Sequence, residues 1–234
     1  MSKILIGCEE SQQVCKAFRL LGHEAYSCDL KPCSGGHPEW HFQTDVFEAI
    51  AFDDWDLGIF FPDCTYLTCS AEWAYKNGPY HQQVKPGTLV GEERQKARKD
   101  AAGFFLSLYY CKIPLVAIEN PVGVMSSIFR KPDQVIQPYQ FGDDASKGTC
   151  LWLKGLPTLR RTEYCQPRLV NGRKRWANQT DGGQNKLPPS DNRAELRSKT
   201  YSGIANAMAE QWGNFILNNH QSARIFPAQQ LQLF

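Results

Sequence analysis

Two short segments of the chain hold side chains that can act on an electron-poor ring. In Phe61-Pro62-Asp63-Cys64-Thr65 a cysteine follows a buried-looking apolar run and a proline that fixes the chain direction. A cysteine held at such a strand end can serve as a nucleophile through its thiolate, although cysteines there serve more often in packing. In Ile118-Glu119-Asn120-Pro121 a glutamate follows a second apolar run. A carboxylic acid at that place can hydrogen-bond a ring nitrogen of a bound base. Nucleophilic attack at carbon 6 of a cytosine needs the ring made electron-poor, and an acid on nitrogen 3 does this. A carboxylate that merely closes a loop is the plain alternative.

These segments need a frame that brings them together, and the rest of the sequence describes one. Lys3–Gly7, Glu24–Cys28, Asp56–Phe61 and Pro114–Ile118 read as short strands. A helix capped by Ser11 carries Val14, Ala17, Phe18 and Leu21 on one face and ends at Gly22; a longer one spans Glu92–Cys111. Strands alternating with helices predict an α/β fold with a mostly parallel sheet. Polar residues stand just beyond the strand ends: Glu9, Asp29, Asp63 with Cys64, and Glu119 with Asn120. In open α/β sheets that edge is where ligands bind.

The expected organisation is a catalytic α/β core over 1–153 and a loop-rich basic segment over 154–200. A returning helix over 201–217, with Ile204, Met208, Trp212 and Phe215 on one face, and a flexible tail over 218–234 complete it. The 234 residues, 42% apolar, suit one domain and exclude a membrane protein, and the N-terminus runs straight into a strand, so a cytoplasmic monomer is expected. Nine cysteines form no CxxC pair. Cys28, Cys33, His37 and His41 fit no standard zinc spacing, so no metal is expected. Net charge is only +2, yet Arg160, Arg161, Arg168, Arg173, Lys174 and Arg175 fall close together beside Trp176. That segment is expected to meet phosphates and stack on a base, against the alternative of a solvated loop.

Strand-Pro-x-Cys followed by strand-Glu-Asn resembles the signature pair of the cytosine-C5 DNA methyltransferase family. The resemblance extends along most of the chain. Ile4–Ser11 resembles the family's first motif, the turn under the cofactor's methionine part, and Asp29 stands where an acidic residue binds ribose hydroxyls. Thr44-Asp45-Val46 is similar to the Gly-Asp-Ile segment that meets the adenine, and Trp55-Asp56-Leu57 leads into the nucleophile loop. Arg94 falls in the region before Glu-Asn. Phe141-Gly142 with Lys147 resembles the Phe-Gly-x-Pro-Gln-x-Arg-x-Arg segment, and Tyr201–Ala207 the final Ile-Gly-Asn-Ala motif. The resemblance implies a Rossmann-like, S-adenosylmethionine-dependent enzyme acting on DNA. Cys64, Glu119 and Lys147 would be catalytic. Gly7, Glu9, Ser11, Asp29, Asp45, Pro62 and Asn206 would hold the cofactor.

The chain departs from the family in ways that matter. Asp63 replaces a proline beside the nucleophile, and its charge should raise the thiol pKa. Pro121 replaces a valine. Ala145, Lys147 and Thr149 stand for Gln, Arg and Arg. Gly7 is the lone glycine of the first motif. Only about fifty residues separate the last two motifs, too few for a target-recognition domain, as in small members from phages and prophages. RNA or a free nucleotide as substrate, another donated group, or a binding protein on a decayed enzyme fold remain open. Finally, Gln230-Leu231-Gln232-Leu233-Phe234 resembles the peptide by which bacterial replication and repair proteins dock on the DNA sliding clamp. Gln230, Leu231, Leu233 and Phe234 would be its anchors.

Overall fold

The computed structural model describes residues 1–188, 190 and 193–225; the Gln230–Phe234 peptide lies outside them. The elements in chain order are β1 (Lys3–Gly7), α1 (Gln13–Leu20), β2 (Glu24–Asp29), β3 (His41–Gln43), α2 (Val46–Phe52), β4 (Leu57–Phe60), α3 (Gly91–Tyr109), β5 (Leu115–Pro121), α4 (Met125–Ile128), β6 (Gln134–Ile136), β7 (Thr149–Lys154), β8 (Arg168–Val170), β9 (Arg173–Arg175), α5 (Arg193–Ser198) and α6 (Ser202–Ile225). The first seven strands form one sheet in the order β3-β2-β1-β4-β5-β7-β6. β1 to β5 are parallel, and β7 runs antiparallel to both β5 and β6. This is the expected mostly parallel, Rossmann-like α/β class.

The central strands read as continuous apolar runs because helices cover both faces. Side-chain alternation sends Ile4 and Ile6 of β1 to one layer, where they meet Val14 and Phe18 of α1 and Met208 and Trp212 of α6. Leu5 goes to the other layer with Ile50 of α2, Phe105 of α3 and Trp152 of β7. After the edge strand β3 the chain returns to the centre at β4, so the strand order reverses between β1 and β4. Such a reversal opens a crevice at the carboxyl ends of the strands.

Several expectations are corrected here. Ser11 does not cap α1. Gln12 occupies the cap position in a left-handed conformation with no side-chain cap bond, while both carboxylate oxygens of Glu9 accept from the first helical amides, Val14 N at 2.7 Å and Cys15 N at 3.2 Å. α6 continues to Ile225, past the expected end at Leu217. The 154–200 segment contains an ordered hairpin, β8–β9, whose turn residues Asn171 and Gly172 both have positive φ, 49° and 73°. That backbone is the two-residue hairpin turn that Asn-Gly favours. The segment is fastened back to the sheet: Leu159 and Gln134 exchange two hydrogen bonds, at 2.8 and 2.7 Å.

α6 begins where it does because of Asp143. Its carboxylate accepts from Gly203 N at 2.9 Å and Ser202 Oγ at 3.2 Å, an arrangement that satisfies free helical donors. A Cβ on Gly203 would lie 1.7 Å from the carbonyl oxygen of Phe141. Gly203→Ala should therefore cost at least about 2 kcal/mol of stability, read as a lower Tm; an unchanged Tm would mean that the Phe141 turn yields freely.

Candidate active site

A cleft of about 1420 Å³ runs along the carboxyl edge of the sheet. Asp29 and Asp45 line one end, Pro62, Cys64, Glu119 and Lys147 the middle, and Asn178 and Arg197 the far end. Residues far apart in sequence meet here because β2, β4 and β5 all finish at this edge.

The segment after β4 is held by side chains. Asn120, buried just past Glu119, donates from Nδ2 to the carbonyl oxygen of Pro62 at 2.9 Å. Asp63 accepts from Thr65 N at 2.8 Å and from Thr65 Oγ1 at 2.7 Å, and Leu67 N returns to Cys64 O at 3.0 Å. These bonds shape a tight turn with Cys64 at its start. Beyond it, Val124 N donates to Leu67 O at 2.8 Å. A Cβ on Gly123 would fall 2.0 Å from that oxygen, so only glycine permits the approach. α3 fixes the remainder. Arg98 donates to Tyr66 O at 2.9 Å and to Glu72 at 2.6 Å, and its guanidinium sits 3.4 Å over the Tyr75 ring. Arg94 lies over the same ring at 4.7 Å. Asn120, Gly123 and Arg98 carry the site's geometry, and the sequence offered no reason to single out Arg98 or Gly123.

Electrostatically the site leans toward neutral forms. Burial is the main cause that pushes the Cys64 thiol up; Asp63 and Glu119 add to it, and Lys147 opposes them. Glu119 is raised by burial, against Lys147 and a hydrogen bond with Thr149. The shift is toward the protonated form, the form that can donate to a ring nitrogen. Lys147 is anchored by its ammonium to Arg197 O at 3.0 Å and by its amide to Gln137 at 2.9 Å.

At the other end, Asp29 lines the cleft while accepting from Lys31 N at 3.0 Å. Asp45 caps α2 by accepting from Phe47 N at 2.8 Å. Ser11 is buried in the cleft wall, and Pro62 forms part of it. Two residues expected here are placed differently. Gly7 does not line the cleft; its missing side chain makes room for packing, since a Cβ would lie 2.6 Å from the Phe60 ring and 2.7 Å from Val46. The residue that turns the chain into the cleft is Cys8, at φ 60°. Asn206 is exposed on α6 and away from the cleft wall, where Thr200 and Tyr201 stand instead. Glu9 lines the cleft but is engaged as the α1 cap; burial, against its amide bonds, raises its pKa to about 7.

The basic segment does not act as one patch. Arg160 and Arg161 are exposed but outside the cleft, and the Arg160 backbone is bound on both sides by Gln211 of α6, at 2.7 and 2.8 Å. Arg173 and Lys174 are exposed on the hairpin, while Arg175 donates to Asp181 O at 3.0 Å. Trp176 is buried and stacks on Tyr139 at 4.2 Å and 14°, which removes it as a base-stacking surface. Asn178, unremarked in sequence, brackets Ser146 with bonds of 3.0 Å in both directions and so ties the end of this segment to the Lys147 turn. Of the cysteine and histidine cluster, Cys28 is buried against Thr44 O, His41 bonds Ser27 and Lys31 O, and His37 stacks on Trp40. Among the described residues no group of three or more His, Cys, Asp or Glu is placed to hold a metal. No helix among them is long and apolar enough to cross a membrane.

No family model matches the sequence, and no curated protein matches it. Among solved structures, the fold is similar to that of a putative DNA modification methyltransferase encoded within a prophage (E. coli). The TM-score is 0.38 at 12% identity, over 65% of this chain and 46% of that one. It is also similar to a triple mutant of DNMT2 from Spodoptera frugiperda, with a TM-score of 0.42 at 15% identity, over 75% of this chain and 57% of that one. The chain thus matches less than two thirds of the length of either.

The Glu9 cap generates a pH prediction. In the unfolded chain Glu9 ionises near its ordinary 4.5, and in the folded one near 7. Between these values the folded state binds more protons, so its contribution to stability falls as pH rises. Urea unfolding at pH 5 and pH 8 should show the wild type losing more stability across that interval than Glu9→Gln, which cannot ionise; equal losses would place Glu9 at its ordinary pKa.

Proposed function

We propose that this protein is an S-adenosylmethionine-dependent methyltransferase acting on carbon 5 of cytosine in DNA, with Cys64 as covalent nucleophile. The observation that carries the reading is the meeting of Cys64, Glu119 and Lys147 in one cleft, each at the place the family resemblance assigns.

The cofactor end suits that group in its donor set. Asp29 offers a carboxylate to ribose hydroxyls, and Asp45, with one oxygen given to Phe47 N, retains another for an adenine amine. Cys8 and Ser11 line the turn beside them. Gly7 and Asn206 drop out of the binding set. When bound, S-adenosylmethionine supplies an electrophilic methyl group.

A cytosine reaches Cys64 only outside its stack, because its reactive carbons are covered in a duplex. Glu119, protonated, donates to nitrogen 3 and withdraws electron density from the ring. Cys64 gives up its proton to solvent water and its sulfur bonds carbon 6; the ring electron pair shifts toward nitrogen 3 and carbon 5, which makes carbon 5 nucleophilic. After methylation, a base takes the carbon-5 proton, the carbon–sulfur bond breaks and the thiolate leaves. Lys147 opposes the carboxylates around the sulfur and favours its ionised form.

Nucleoside mass spectrometry of DNA incubated with protein and S-adenosylmethionine should show 5-methylcytosine. Cys64→Ser should abolish it, and Glu119→Gln should lower the rate by about 10²-fold or more, both with cofactor binding retained. Product from RNA alone would move the substrate class. The raised Cys64 thiol favours one other reading, a cytosine-binding protein on the same fold. In that case fluorinated cytosine DNA would form no adduct with the wild type.

Asp63 adds a discriminating variant. Asp63→Asn keeps an oxygen for Thr65 and removes the charge beside the thiol, so turnover at neutral pH should rise; Asp63→Ala also loses the turn and should slow it. A fall in both variants would give the charge a role of its own. The Gln230–Phe234 peptide is read, on its sequence, as a sliding-clamp ligand that raises local enzyme concentration on DNA. It should bind the clamp in the micromolar range, and Leu233→Ala with Phe234→Ala should abolish binding; no binding by the intact protein would remove this partner.

A further inference from the structure

Behind Glu119 lies a second, much smaller space than the cleft. It measures about 10 Å³ and is lined by Glu119, Lys147, Thr149, Thr200, Tyr201 and Ile204. Room of that size holds one water at most. Glu119 therefore borders two environments, the broad cleft and this narrow niche, and the two oxygens of one carboxyl group can serve them separately. Thr149 lines the niche and not the cleft.

Strand register puts Thr149 there. In the β5–β7 pair Glu119 stands opposite Leu151, and Pro121 opposite Thr149. Residues opposite each other, and residues two apart along a strand, share one face of a sheet. Glu119 and Thr149 are thus diagonal neighbours on the face where Ala117 and Leu151 share a core layer with Ile204 of α6. Thr149 is 3% exposed, and its backbone is paired on both sides, with Pro121 and with Ile136. A β-branched side chain on so fixed a strand has little rotamer freedom. Its hydroxyl donates to Lys147 O at 3.3 Å. That distance is long for a bond between oxygens, so the hydrogen is not firmly held and can serve the Glu119 carboxyl, with which Thr149 also bonds. Lys147 cannot take this part. Its ammonium is engaged by Arg197 O at 3.0 Å, and it acts on Glu119 through its charge.

A carboxylic acid has one proton and two oxygens. The proton is useful to nitrogen 3 of a cytosine only on the oxygen that faces the base. A donor at the other oxygen makes that oxygen an acceptor and leaves the proton on the first. Resting on the proposed cytosine chemistry, we propose that Thr149 is a positioning residue: its hydroxyl engages the niche-side oxygen of Glu119 and so keeps the acid's proton on the oxygen that meets the base. The same bond has a cost. A donor to a carboxyl group favours the ionised form, so Thr149 directs the proton while loosening the hold on it.

These two effects have opposite signs, which provides the test. Thr149→Val keeps the shape of the side chain and removes the donor. An infrared pH titration of the full-length protein follows the protonated-carboxyl band of Glu119, assigned by its loss in Glu119→Gln. The rate of covalent adduct formation is measured with S-adenosylmethionine on DNA carrying 5-fluorocytosine in place of every cytosine, alongside the Tm of each variant. In Thr149→Val the band should persist to higher pH than in the wild type, while the adduct rate falls by about tenfold or more, as for a lost hydrogen bond to an ionisable group. Thr149→Ser should restore both. If the valine variant does not fold, Thr149→Ala, which also lacks the hydroxyl, carries the same reading. A band that titrates as in the wild type, a rate that is unchanged or higher, or a folded serine variant that restores neither would each overturn the positioning role while leaving the chemistry. No adduct with the wild type would instead overturn the proposed function, and the positioning role with it, wherever the band titrates.

Discussion

The hydrogen bond from Asn120 Nδ2 to the carbonyl oxygen of Pro62 is the constraint on which the site depends. Parallel pairing of β4 with β5 brings the strands to neighbouring positions and ends at Phe60 and Ile118. Past those residues β5 is still held by its pairing with β7 as far as Pro121, so Glu119 stays in register, but the β4–β5 ladder no longer ties the chain that carries Cys64 to it. A buried amide that reaches from β5 to that chain supplies the missing tie, and losing it would leave a buried acceptor unmatched. The Gly123 approach to Leu67 repeats the tie farther out. The two segments are therefore tied at two points, which on the proposed reading is what a pair of groups acting on opposite sides of one ring requires.

That fixed geometry sets an electrostatic compromise. Burial raises the Glu119 carboxyl, and burial likewise works against the Cys64 thiolate. Moving the thiol outward would ease its ionisation but separate it from the acid. Lys147 is the group present that offsets this for Cys64, and its ammonium is also committed to Arg197 O. The 196–200 segment is thus coupled to the charge balance at sulfur: displacement of Arg197 would free a lysine donor within the cleft. Asp63 is exposed and bound to Thr65, so its charge reaches the thiol partly through water, where screening is strong.

How much of this was legible follows from what each residue must satisfy. Strand-end acids and Cys64 were readable because an apolar run that stops at a polar residue marks both an element and an edge. Gly7 was misread because a glycine after a strand can serve ligand approach or packing, and the deciding atoms belong to Phe60 and Val46, far along the chain. Glu9 and Ser11 exchanged roles because the α1 cap comes from four residues before the helix starts, outside the usual one-residue window. Trp176 beside basic residues looked like a stacking platform; its partner Tyr139 arrives only through the fold. The β8–β9 hairpin carried a local signal, Asn171-Gly172 after the β-prone Leu169-Val170, masked by the charged Arg173-Lys174-Arg175 that follows. β6 and β7, which complete the sheet, have no such marker: Thr149–Lys154 is a short apolar run that becomes a strand by pairing with β5.

The same pairing bears on recognition. Between Lys147 and Tyr201 the chain must complete the sheet with β7, tie back to the β6 edge at Leu159, form the β8–β9 hairpin and reach the start of α6. Leu159, Trp176 and Asn178 are used to pin that path. What remains for a partner is the exposed side chains of Arg160, Arg161, Arg173 and Lys174 and the rim of the cleft. On the proposed reading, contacts of this extent position a phosphate backbone but read few base edges. Discrimination then falls to steps near the reacting base: how readily it leaves the stack, and how well its edge meets Glu119. Pyrimidine–purine steps unstack at lower cost, so a protein built in this way takes its sequence preference from the deformability of DNA around the target cytosine more than from a reading surface of its own.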